Sequence, residues 1–231
     1  AKVARPELPR AVAEFTDWAE TFLTDPMTRP VQVGIALAEA HRAAIKELIQ
    51  ADPKRAIESA VPMAMRQRLP AEVVAHLEQR VSGRGMYEVL AVSPDSDPSE
   101  PRVRRFATIG GQELRAHVYG SRTAQMTTPN ALMWGVAVDR ELALSEKRLR
   151  TLEVGESPDP DKKQEYVCPV SQKTLPMPPS PEPITSDTPA VETENTVTYF
   201  CASAHIHVFE EEIVAGEGNT GSATTPTGTL P

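Results

Sequence analysis

The sequence predicts an α+β fold in three successive parts. Helical spacing of apolar residues dominates the first third of the chain, alternating β-forming residues follow it, and prolines accumulate in the last third. We expect an N-terminal helical segment plus a small antiparallel sheet, then a small Cys/His unit joined by Pro-rich extended segments. The expected boundaries are 1–84 for the helical segment, 85–155 for the sheet packed with it, 156–167 for a linker, 168–214 for the Cys/His unit with its Pro-rich insertion, and 215–231 for a disordered Thr/Gly/Pro tail.

Two amphipathic stripes predict the first helices. The first stripe recurs at spacings of three and four residues and consists of Val12, Phe15, Trp18, Ala19 and Phe22. The second consists of Val33, Leu37, Ala40, Ala44 and Leu48. Asp52 is a suitable N-cap for a third helix, with Pro53 at its first position. A fourth helix is expected from Pro70 to Ser82-Gly83, and His41 and His76 are expected at helix surfaces or interfaces.

Turn signals predict the sheet. Gly110-Gly111 separates two alternating runs, which is typical of a β-hairpin. A second hairpin is expected around Asp139-Arg140, and residues 148–156 add a last short strand. We expect these strands to form a small antiparallel sheet, either open or curled towards a barrel. The Pro-rich stretch 173–195 is expected to be extended and poorly packed.

Composition excludes several classes of function. The formal net charge is -8, which argues against binding to nucleic acid or to anionic membranes. The chain has no apolar run of the roughly 18 residues that a membrane span requires. Recognisable motifs of hydrolases, zinc peptidases and phosphate-binding loops are absent, so we predict a protein that is not an enzyme. The first residue is Ala1, which indicates removal of a signal peptide and an extracellular or periplasmic protein; a cytoplasmic location is the alternative.

The chain contains only two cysteines, Cys168 and Cys201, and His205 follows the second by four residues. That spacing puts Cys201 and His205 on one helical face, where both can bind one ion, with Cys168 as a third ligand from a distant loop. Thiolate and imidazole ligands together favour zinc, with copper or iron less favoured. His207 is the least secure candidate ligand, because on a helix it points away from His205.

Three other interpretations of these residues remain open. Cys168 and Cys201 can form one disulfide, worth roughly 3–4 kcal/mol in the chain-entropy model. They can be two buried thiols that act as small hydrophobic side chains. The stretch after Cys201 can also be a strand, with His205, His207 and Phe209 on one face.

Two short segments of this part resemble the YHS and TRASH families of small metal-associated modules. They are "CPVSQ", residues 168–172, and "YFCASAHIHVF", residues 199–209. The resemblance implies a strand that ends at Cys201, a short helix from about Ser203, and metal ligands at Cys168, Cys201 and His205. The chain departs from the pattern where His205 and Ser171 stand at positions that carry cysteines in the families, and its Pro-rich insertion is longer.

The N-terminal part resembles the N-terminal module of very large secreted multidomain bacterial proteins, in residues 47–85 and in "TIGGQELRAHVYG", residues 108–120. The resemblance implies a non-catalytic secreted N-terminal or accessory module, which binds a protein partner or the downstream domains of the same polypeptide. A zinc- or copper-binding protein is one alternative. The other is a subunit of a larger assembly, whose extended segments wrap neighbouring chains.

Overall fold

The computed structural model describes residues 9–91 and 103–219, and it confirms the mixed α+β class. The helices are α1 (Arg10–Thr24), α2 (Val31–Ala51), α3 (Pro53–Ser59), α4 (Met63–Arg66), α5 (Ala71–Val74) and α6 (Ser203–Asn219). The strands are β1 (Gln79–Ala91), β2 (Val103–Ile109), β3 (Gln112–Val118), β4 (Thr128–Val138), β5 (Glu141–Leu144), β6 (Arg150–Thr151), β7 (Lys163–Glu165), β8 (Ala190–Glu192) and β9 (Thr196–Tyr199). Short 3-10 turns lie at Pro26–Thr28 and Gly120–Ala124.

Helix α1 buries the stripe that its sequence predicts. Its buried residues are Val12, Phe15, Trp18, Ala19 and Phe22. The Trp18 indole stacks on the Phe22 ring, with their centroids 5.0 Å apart. Since all five side chains face one way, α1 packs that face against α2.

The buried face of α2 overlaps the predicted one only in part, at Leu48. Its buried residues are Gly34, Ala38, His41, Ile45, Leu48 and Ile49, whereas Val33 is 45% exposed. The reason is the close approach of α1: a Cβ on Gly34 would lie 2.2 Å from the Trp18 ring. The close packing of two helices requires a small residue at the contact. The face of α2 that carries Gly34 is therefore buried, and the larger Val33 beside it is exposed.

The predicted fourth helix is short. Helix α5 ends at Val74, and β1 begins at Gln79, so the residues up to Ser82-Gly83 belong to a strand. The Asp52 cap is confirmed, because its carboxylate accepts a hydrogen bond from the Arg55 backbone N–H. The barrel thus begins inside the segment that was expected to be helical.

The first sheet is a closed barrel with strand order β1-β2-β3-β5-β4, and not a simple antiparallel sheet. Both predicted hairpins are present, with positive φ angles at Gly110, Gly111 and Asp139. Strand β1 pairs with β2. Two further pairings close the barrel: β3 runs parallel to β5, and β1 pairs with β4. Neither pairing joins neighbours in sequence, so hairpin signals could not predict them.

Strand β1 pairs with β2 on one side and with β4 on the other, and the pairing with β4 is irregular after Gly85. The register with β4 shifts between Gly85 and Tyr87. A Cβ on Gly85 would lie 1.8 Å from the Thr108 carbonyl oxygen, so only glycine allows β2 to approach there. The interior is filled by buried side chains that include Tyr87, Leu114 and Met133.

Helices α2 and α3 cover the outside of the barrel. Ile45 and Ile49 of α2 pack with Val136, Val138 and Ala143 of β4 and β5. These strands are therefore buried on both faces, which accounts for their nearly continuous apolar run.

A buried ionic cluster joins the helices to the start of the barrel. Glu78, immediately before β1, is fully buried, and its Oε2 lies 3.2 Å from Nε2 of buried His41. Its Oε1 accepts hydrogen bonds from the Val61 N–H and from Arg66. Burial alone would raise the pKa of Glu78, but His41 and Arg66 lower the pKa from 4.5 to about 2. His41 was expected at a helix surface or interface. The structure places it at an interface, where it is buried beside Glu78.

The C-terminal part forms a second sheet with strand order β6-β8-β9-β7. Most residues from 173 to 188 in the Pro-rich stretch are exposed and lie outside the strands, as expected, but two apolar side chains pack inward. Leu175 and Ile184 are buried within it, and Ile184 exchanges backbone hydrogen bonds with residues 155 and 156. Residues 156–167, the expected linker, supply β7 and the buried Glu156, which pairs with Arg150. Apolar side chains spaced between the prolines explain this packing.

Helix α6 continues to Asn219, past the expected start of the tail at residue 215. The rest of that tail lies outside the described residues. Among the described residues, none of the helices combines the length and the apolar character needed to cross a bilayer.

Candidate metal centre

The first side of the site is a tight turn around Cys168. An isolated bridge joins Val167 to Thr174, and the Cys168 N–H donates to the Lys173 carbonyl at 2.9 Å. The Gln172 N–H donates back to the Cys168 carbonyl at 2.8 Å, and Gln172 adopts a positive φ of 58°. The turn holds the Cys168 side chain inward, where it is fully buried.

The second side comes from the junction of β9 and α6. Strand β9 ends at Tyr199 and α6 begins at Ser203, so Cys201 lies two residues before the helix and His205 lies in its first turn. Phe200 and Ile206 are buried in a cluster with Cys168 and with Leu132 of the barrel. Their burial fixes the rotation of α6 and turns Cys201 and His205 towards Cys168.

The structure brings three of the four predicted ligands together. The Nδ1 atom of His205 lies 3.5 Å from the Cys168 sulfur and 3.2 Å from the Cys201 sulfur. The three ligand atoms all lie within 4.8 Å of one another. Zn–S and Zn–N bonds of ordinary length at a tetrahedral angle place sulfur and nitrogen about 3.5 Å apart. The two sulfur–nitrogen distances are therefore compatible with a tetrahedral zinc site.

His207 does not join this cluster. It lies on α6 with an exposed side chain, two residues beyond His205. A step of two residues on a helix turns the side chain by about 200°, which carries the imidazole to the opposite face. The helical geometry thus separates the two histidines, as the sequence indicated.

Hydrogen bonds around the Cys168 sulfur favour its thiolate. Burial by itself would raise its pKa, but the Ser171 hydroxyl and the backbone N–H groups of Cys201, Ser171 and Val170 lower the pKa from 9.0 to about 6. Thiolate is the form that binds metal ions, so Cys168 is prepared for coordination near neutral pH.

The donor set fits zinc. Two sulfur atoms and one imidazole nitrogen match the ligands that zinc takes in proteins, and they are softer than the oxygen donors that calcium and magnesium prefer. Both cysteines are free thiols in the structure. The nearness of their sulfur atoms also keeps a disulfide between Cys168 and Cys201 as the alternative use of the same pair.

Ser171 is a fourth polar group at the site. In the sequence it stands out only because the YHS and TRASH families carry a cysteine at this position. The Ser171 Oγ lies 3.2 Å from the Cys201 sulfur. A serine gives no signal of metal binding in a sequence, since hydroxyls are common on exposed turns. Only the fold of the Cys168 turn shows that it faces the Cys201 sulfur.

Comparison of the chain with protein-family models, with curated proteins and with solved structures finds no match. The likeness to the YHS and TRASH families therefore depends on the two short segments around Cys168 and Cys201.

Proposed function

We propose that this chain is a non-catalytic module whose C-terminal unit binds one zinc ion through Cys168, Cys201 and His205. The observation that carries the proposal is the convergence of three ligand atoms within 4.8 Å from segments more than 30 residues apart in sequence. In this proposal the ion stabilises the unit, and the module binds a protein partner or other domains of its own polypeptide outside the cytosol.

The position of the site supports a structural role. Cys168 shares an apolar cluster with Leu132 of the barrel, Val191 of β8 and Phe200 beside β9. Glu210 of α6 accepts hydrogen bonds from the backbone N–H groups of Arg148 and Leu149. An ion here would tie the Cys168 turn to α6 where the second sheet meets the barrel, and would add its binding free energy to folding.

The metal content of the purified chain tests the proposal. We expect one zinc per chain by elemental mass spectrometry. Cys201→Ser and His205→Ala should each lower zinc affinity by more than the roughly 10–100-fold that loss of an outer partner of a ligand costs. His207→Ala is the matched control, because it removes an exposed imidazole from the same helix and should leave affinity unchanged.

Intact mass with and without reductant separates metal from disulfide. A zinc site predicts the same mass in both samples. A gain of two hydrogens on reduction, together with no bound metal, would contradict the zinc proposal and support a bridge between Cys168 and Cys201.

A further inference from the structure

The Ser171 hydroxyl completes the ring of donor atoms around the cluster. Its Oγ lies 3.2 Å from the Cys201 sulfur. In a tetrahedral zinc site, oxygen and sulfur ligands lie about 3.5 Å apart. Ser171 thus lies as close to the Cys201 sulfur as His205 does, on the turn that carries Cys168, and we take it as the fourth corner of the site.

This fourth corner is on the solvent side. Cys168 is fully buried, Cys201 and His205 are half-buried, and Ser171 is exposed. A molecule from solution would therefore approach the ion past Ser171, without displacing a buried side chain.

The hydroxyl is a much weaker zinc ligand than the three others. Zinc is ordinarily bound in proteins by thiolate, imidazole and carboxylate groups, whereas a serine hydroxyl is neutral at physiological pH. Sites with three protein ligands keep a fourth position that water occupies and that other ligands can take. Serine at this corner, in place of a thiolate, leaves the site in that class.

We propose that the metal site keeps an exchangeable fourth coordination position at Ser171, which takes a thiolate from solution. The inference depends on the proposed zinc site. Two thiolates and a neutral imidazole leave a bound Zn²⁺ with no net charge, so a third thiolate gives -1, less than the -2 of a four-cysteine site. Charge and ligand softness thus both permit one added thiolate.

Cobalt substitution provides the test. Co²⁺ is added to the full chain in place of zinc, and the sulfur-to-cobalt charge-transfer band and the visible bands are recorded during titration with 2-mercaptoethanol. For the wild-type chain we expect the charge-transfer band to rise in proportion to a change from two thiolates to three, and to saturate. Cobalt that stays with the protein after desalting shows that the thiol has added to the site and has not extracted the ion.

Ser171→Cys should show the three-thiolate spectrum before any thiol is added and should not respond to the titration. Ser180→Cys is the matched control, because it places a thiol at another exposed serine, nine residues later in the chain. It should behave as wild type. Ser171→Ala, which keeps all three strong ligands, should bind cobalt and still respond.

The outcomes separate the two proposals. Wild-type protein that binds no cobalt would refute the zinc site itself and the inference with it. Wild-type protein that binds cobalt but does not respond to thiol would overturn only the exchangeable position. Loss of cobalt binding in Ser171→Ala would also overturn it, since Ser171 would then be a required ligand.

Discussion

The buried carboxylate of Glu78 should make the stability of this protein depend on pH. Its pKa is lowered from 4.5 to about 2, a difference of about 2.5, which corresponds to about 3 kcal/mol of folding free energy. Because the pKa is lower in the folded state, this contribution is complete above pH 4.5 and is lost as the pH falls towards 2. By pH 3, about 2 kcal/mol of it should be gone.

Glu78→Gln removes this contribution at neutral pH. The amide keeps the size of the side chain but cannot pair as an anion with Arg66 and His41, whose contacts lower the pKa. We expect the variant to be less stable than wild type by about 3 kcal/mol at pH 7, in the range for breaking a buried ion pair. At pH 3 the deficit should shrink to about 1 kcal/mol.

Equilibrium unfolding in urea at pH 7 and pH 3 measures this difference. Other acidic groups and any bound metal also respond to pH, but their effects cancel between wild type and variant. Glu72→Gln is the matched control, because Glu72 is exposed on α5. A Glu78→Gln deficit of equal size at both pH values would refute the reasoning, as would an equal effect of Glu72→Gln.

Two further substitutions test the packing. Gly34→Ala should destabilise the protein by about 1–3 kcal/mol in urea unfolding, because the new Cβ would lie 2.2 Å from the Trp18 ring. Helix propensity alone would give the opposite sign, by up to about 1 kcal/mol in favour of alanine, so a stabilised variant would contradict the close approach of α1 and α2. Arg122→Lys should lower stability by at least about 2 kcal/mol, measured by thermal and urea unfolding, because the buried guanidinium donates to the Ser145 and Leu132 carbonyls and a lysine cannot reach both. An unchanged Tm for this variant would show that these hydrogen bonds contribute little.

Patterns of local spacing predicted much of the secondary structure. The buried face of α1, the Asp52 cap and the Gly110-Gly111 and Asp139-Arg140 turns all follow from residues within a few positions of one another. Their physical causes are local too, namely side-chain periodicity, capping hydrogen bonds and backbone preferences.

Burial of charge could not be predicted in the same way. Glu78 and Arg122 look like ordinary surface residues in the sequence, yet both are fully buried. Their partners, such as His41 and the Ser145 carbonyl, come from elements distant in sequence. The same holds for α2, where the approach of Trp18 to Gly34 selects the buried face.

The sequence by itself determined which groups are available to the candidate site: two thiols, an imidazole one helical turn after Cys201, and a serine after Cys168. The tertiary structure decided that they meet, because the pairing of β8 with β9 and the packing of Phe200 and Ile206 bring α6 onto the Cys168 turn. It also decided the closure of the barrel through β1–β4 and β3–β5. Both are contacts between distant segments, whose free energy depends on surfaces buried only when the whole chain has folded.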